Sequence, residues 1–140
     1  MKFNPSNSDE KTAYALLRAV VGINLLMHGV SRLLTGPANF ASHLNEQFAR
    51  SPLPPLLVHV FSNMLPAVEG LIGLLLLLGL KTRWALIAGS LLMMVLTFGS
   101  ALIQDWAAAG SQLIYALIFS LLLFMRRYNA WSLDGCVNKA

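Results

Sequence analysis

Glu69 lies near the middle of an apolar run, residues 56–80, and is its one formal charge. The run is long enough to cross a bilayer, for which about 20 apolar residues suffice. A carboxyl at that depth costs at least ~2.5 kcal/mol unless it is paired, protonated or wet. The polar groups able to answer it are Arg18, Asn24 and His28 in an earlier apolar stretch and Tyr115 in a later one. Arg18 or Asn24 could tie Glu69 into a buried lock that sets helix register. His28 could carry a proton or donate to a quinone carbonyl; it could equally do no more than hydrogen-bond to Glu69 or Asn63. Tyr115 reads as a packed aromatic with a satisfied hydroxyl, a redox role being the alternative. A haem would need His28 and His59, whose spacing forms no metal motif, so no metal site is expected. Pro66 withholds a backbone donor three residues before Glu69, and Gly70 and Gly73 thin that side of the helix for a close neighbour.

These residues need long apolar helices to hold them, and the composition supplies them. Hydrophobic residues make up 56% of the 140-residue chain and charged residues 11%, against about a quarter charged in soluble domains. Four spans are expected, over roughly residues 13–34, 56–80, 84–103 and 111–125, in a four-helix antiparallel transmembrane bundle. The last is short unless residues 106–110 join it. Gly36-Pro37 breaks the first helix. Phe40, Leu44 and Phe48 then recur every fourth residue among polar ones, which predicts a short amphipathic helix lying in the interface plane. Lys81 and Arg83 mark a tight basic loop between the second and third spans.

A net charge of +4 would suggest nucleic acid in a soluble protein. Here it sorts by topology instead, and lipid rather than nucleic acid is the expected partner. Of the ten Lys and Arg, only Arg32 and Arg50 fall on the side opposite the termini. The positive-inside rule then places both termini in the cytoplasm of a bacterial inner-membrane protein. Residues 1–12 and 128–140 read as cytoplasmic tails around a membrane domain, residues 13–127, with Tyr128 and Trp131 suited to the headgroup zone. No secretory signal is evident. The single cysteine, Cys136, allows no internal disulfide and no membrane dithiol chemistry.

Counting about 1.5 Å per residue places Asn24, Glu69 and Tyr115 all roughly 16 Å above the cytoplasmic face. Arg18 comes about 8 Å up, within reach of Glu69, and Gln112, His28 and Asn63 lie higher. Arg18, Gly22, Gly29, Arg32, His28 and Asn24 share one arc of the first helix. The expectation is a continuous polar column at the bundle core, with Met93, Met94 and Thr97 as its fourth wall. Arg32 is expected to snorkel to the outer headgroups.

Leu17-Arg18, Gly22, His28-Gly29-Val30-Ser31-Arg32-Leu33, Phe40-Ala41 and Leu53-Pro54 resemble the opening of the DoxX/DoxD-like membrane proteins. Val68-Glu69-Gly70 through Gly73 to Gly79-Leu80-Lys81-Thr82-Arg83-Trp84-Ala85 is similar to that family's second signature. The resemblance implies a small bacterial four-helix inner-membrane protein associated with quinone-linked redox complexes, thiosulfate:quinone oxidoreduction among them. Carried over by position, its polar residues are Arg18, His28, Glu69 and Arg83. Arg32 stands where that family commonly has Lys, and residues 97–100 lack a His that members often carry. The resulting expectation is a subunit of a quinone-linked redox system, with other membrane or peripheral redox subunits as partners. Its quinone- or proton-binding core would comprise Arg18, Asn24, His28, Glu69 and Tyr115, with no covalent cofactor. The alternative is a non-catalytic accessory or assembly subunit whose polar core only holds the helices together.

Overall fold

The structure, a computed structural model, describes residues 8–137. The N-terminal tail before Ser8 and the basic residues Lys2 and Lys139 lie outside the described residues. The fold is all-helical: α1 (Ser8–Leu34), α2 (Pro37–Gln47), α3 (Pro55–Leu78), α4 (Thr82–Leu102), α5 (Trp106–Phe124), a 3-10 turn (Arg126–Tyr128) and α6 (Asp134–Val137). Among the described residues, α1, α3, α4 and α5 are long and apolar enough to cross a membrane.

Local chemistry sets the boundaries. Asp9 and Glu10 occupy the first turn of α1, where the helix dipole favours acids. Gly36 takes a positive φ of 104° and Pro37 opens α2, so the chain turns sharply between the two. Pro55 opens α3 in the same way. Gly79, at φ 65°, closes α3, while Leu80 N–H donates to the Leu75 carbonyl at 2.9 Å, satisfying carbonyls the helix end leaves free. The fourth span starts earlier than the expected residue 111. Asp105 Oδ1 accepts from the Ala108 N–H at 3.0 Å and caps a helix beginning at Trp106. One aspartate cap thus converts residues 106–110 from turn to helix.

α1 packs most extensively on α3, and α4 on α5. At the α1–α3 contact glycine is a necessity of space. A Cβ on Gly22 would sit 2.7 Å from the Leu77 backbone nitrogen, and one on Gly29 would sit 2.6 Å from Gly70 Cα. Backbones that close gain dispersion contacts which larger residues would forbid. The core joins Tyr14, Val21 and Leu25 of α1 to Leu65, Ile72 and Leu76 of α3, Leu86 of α4 and Phe119 of α5. Outward-facing Leu16, Val20, Met27, Leu71, Met94, Leu117 and Phe124 are left exposed, an apolar surface suited to lipid rather than water.

The segment after α5 is not a detached tail. Leu133 and Asp134 donate backbone N–H groups to Leu78 and Gly79 carbonyls. The Asp134 carboxylate in turn accepts from the N–H of Lys81 at 2.5 Å and of Thr82 at 2.9 Å, capping α4 from across the fold. Lys81 itself adopts a left-handed φ of 47° and provides no side-chain cap. Burial pushes the Asp134 carboxyl up, but bonds from Thr82 and Lys81 and the Arg18 charge outweigh it and hold the group below the ordinary aspartate value. Tyr128, expected among headgroups, is buried, whereas Trp131 stays exposed. Arg83 lies over the neighbouring Trp84 ring, 5.6 Å from its centroid.

Candidate functional site

Three separate polar groups replace the continuous column expected from the sequence. Arg18 does not meet Glu69. Buried beside Gly79, its guanidinium donates to Asn129 Oδ1 and to the Trp131 carbonyl, both at 2.6 Å. It is the buried bolt of the C-terminal clasp. The depth estimate for Arg18 was compatible with either direction, and the folded-back segment near the α3–α4 turn supplied better acceptors.

The second group is a single hydrogen bond. Tyr115 of α5 donates its hydroxyl to Asn24 Oδ1 on α1 at 2.7 Å, joining two helices that otherwise touch little.

The third group holds Glu69. The carboxylate, almost wholly buried, forms an ion pair with Arg32. Arg32 therefore turns inward rather than toward headgroups, and its Cζ lies 4.5 Å from the centroid of the Phe40 ring on α2. One guanidinium links α1, α2 and α3. His28, one turn earlier on α1, lines the same cavity as Glu69. The sequence held a signal for this: Arg32 follows His28 by four residues and shares its arc. Pro66 and Gly70 press against Gly29 in the same turn, which brings Glu69 toward α1. Gly73 serves the packing with Leu26 in the next turn.

The Arg32–Glu69 pair borders a cavity of about 570 Å³, within the range that holds small organic ligands. His28, Arg32 and Glu69 line it from α1 and α3; Ser100, Gln112 and Tyr115 line it from α4 and α5. Its walls are Phe40, Leu44, Phe48, Phe61, Leu65, Met93 and Leu96. The repeat Phe40, Leu44, Phe48 that marked α2 as amphipathic thus presents its apolar edge to this space. Asn24 does not reach the cavity, nor does Met94, which is exposed. A further polar pair was not anticipated: Gln112 Nε2 donates to Ser100 Oγ at 2.9 Å. Away from the cavity, Asn45 and Asn63 hydrogen-bond to the His59 ring and carbonyl.

Four helices long and apolar enough to span a bilayer, enclosing an apolar cavity with an ion pair at its edge, are the features of a small multi-pass membrane protein. The model of the family described as methylamine utilisation protein MauE matches residues 10–113, and the chain belongs to that family. The match takes in α1 to α4 and the start of α5, including Glu69, Arg32 and His28. No curated protein and no solved structure matches it.

This assignment overturns the DoxX/DoxD-like resemblance, since MauE is a different membrane family. The physical reason is visible in the packing. Gly22, Gly29, Gly70 and Gly73 mark a close helix crossing, and Arg32 with Glu69 a buried pair. Any bundle with such a crossing needs those residue types, so they report packing rather than lineage.

Proposed function

We propose that this protein is a membrane accessory component of a redox-linked system of the methylamine-utilisation kind, and that its cavity takes the ring of a membrane quinone. In this reading the four long helices cross the inner membrane in antiparallel order, both termini are cytoplasmic, and α2 lies in the outer interface. The glycine contacts of α1 with α3 and the distribution of Lys and Arg support that topology. A reporter fused after Ala140 should then be cytoplasmic and one inserted near Asn45 periplasmic; the reverse would remove the charge argument. Other redox subunits would be its partners, and the bilayer its solvent.

One observation carries the ligand reading: the cavity combines aromatic and aliphatic walls with donors at Arg32 and His28. A quinone needs a flat apolar slot and one or two donors at its carbonyl oxygens. Arg32 spends one arm on Glu69 and keeps further N–H groups, of the five a guanidinium carries. Quinone extracted from protein purified out of native membranes is the direct measurement. His28→Leu should remain folded and carry less of it, by the roughly 0.5–1.5 kcal/mol that one neutral hydrogen bond contributes.

A second reading, a non-catalytic subunit with a purely structural core, is favoured by a different observation. Both Arg32–Glu69 and Asn24–Tyr115 bridge separate helices, as locks would. On that reading the purified wild type carries no quinone, and His28→Leu changes only the melting temperature.

A further inference from the structure

We infer that the tail of the bound quinone leaves this cavity sideways, through the seam between α3 and α4, past Leu57, Val95 and Phe98, while the ring lies toward α1. The inference rests on the quinone reading above and deepens it, because it fixes the ligand's orientation and makes the ligand a lipid-tailed quinone drawn from the bilayer. Its first basis is size. The cavity holds about 570 Å³, room for a ring and its substituents. The isoprenoid tail of a membrane quinone is several times longer than the ring and cannot be enclosed with it. The tail has to cross the wall where the wall is one side chain thick.

The packing shows where that is. α1 packs on α3 and α4 on α5, and the two pairs meet along two lightly packed seams, α3–α4 and α1–α5. The cavity lies between the pairs and reaches both. At the α3–α4 seam, Leu57, Val95 and Phe98 line the cavity and are each more than half exposed on the outer surface. Leu57 stands near the start of α3 and Phe98 near the end of α4, the ends farthest from the loop that joins these helices. At the α1–α5 seam the lining residues that also face outward are His28 and Ser111, and the Tyr115–Asn24 hydrogen bond ties the two helices together. A hydrocarbon tail there would cover polar groups and offer them no partner. Between α3 and α4 it meets only apolar side chains, and it loses nothing by exchanging lipid for them. The way out past the end of α2 is closed: the Phe48 ring lies so near Gly99 that an added Cβ would come 3.3 Å from its Cζ. The donors Arg32 and His28 stand on α1, so a ring bound to them points its tail across the cavity toward the α3–α4 seam.

The test uses the full-length protein in lipid nanodiscs. The probe is a dimethoxy-methyl benzoquinone whose decyl tail carries a diazirine near the ring, and the competitor is the same ring without a tail. After irradiation, mass spectrometry of the peptides should find the tail attached at Leu57, Val95 or Phe98. Tail-less ring at about ten times its Kd should lower that labelling roughly tenfold, by mass action at one site. Label that the competitor displaces from any other residue, His28 and Ser111 above all, overturns the inference. So does seam label that the tail-less ring fails to displace, the mark of a tail lying on the protein surface, and so does the absence of seam label. In each of these cases the quinone reading stands if equilibrium dialysis shows the tail-less ring bound. If dialysis shows neither ring nor probe bound, the quinone reading fails and this inference falls with it.

Discussion

Arg32→Leu should be among the most damaging single substitutions in the chain. It leaves Glu69, buried on α3, with no cation beside it. Removing one partner of a buried pair typically costs about 3–5 kcal/mol, because the survivor is an uncompensated charge or must take up a proton. The two partners are not equivalent. The Arg32 side chain is 26% exposed and that of Glu69 only 6%. After Glu69→Leu the long arginine can swing toward water or headgroups, so that variant should lose less than Arg32→Leu. Replacing both residues by leucine should recover much of the loss, since two well-packed apolar residues often match a buried pair. Arg18→Leu should destabilise independently, its loss adding to that of Glu69→Leu, because Arg18 serves the C-terminal clasp. Thermal unfolding in one detergent across these variants decides the matter. Equal melting temperatures for wild type, Arg32→Leu and Glu69→Leu would refute the pairing.

The α1–α3 crossing should tolerate enlargement no better. Gly29→Ala would place a methyl group 2.6 Å from Gly70 Cα, and Gly22→Ala would place one 2.7 Å from the Leu77 nitrogen. Both neighbours are backbone and cannot rotate away, so the helices must separate. Overpacking of this kind costs about 1–3 kcal/mol or more, and the separation would also pull Glu69 from Arg32. A control is built into the same chain. Around Gly110 nothing lies within 4 Å of an added Cβ, so Gly110→Ala should be neutral or stabilising by up to about 1 kcal/mol through helix propensity. If all three alanine variants melted alike, close backbone contact could not be what holds α1 to α3.

The ion pair and the glycine contacts are physically linked. Gly29 and Gly70 let α1 approach α3 beside Glu69, and the same approach carries Arg32, three residues beyond Gly29, over the carboxylate. Phe40 then covers the guanidinium from α2. A short amphipathic helix, a glycine contact and a charge pair thus build one wall of the cavity together.

Much of the helical architecture was legible in the residue order, because it depends on local terms. Apolar runs of bilayer length, Gly36-Pro37 as a break, Pro55 as a helix start and the tight basic loop from Gly79 to Arg83 each act within a few residues. The spacing of Phe40, Leu44 and Phe48 was enough for α2. Glu69 stood out as a costly group that other helices must satisfy, and Gly70 and Gly73 as points of close approach. What spacing could not settle was which partner each group would take. Arg18 and Arg32 both lie on the polar arc of α1, and a long flexible side chain reaches several ångströms in either direction. Only the packed structure, with residues 129–134 folded onto the α3–α4 turn, gave Arg18 acceptors of its own and left Arg32 to Glu69. The same holds for Gln112 with Ser100 and for Tyr115 with Asn24. These are bonds between helices, and helix periodicity states which residues share a face but carries no term for what stands opposite.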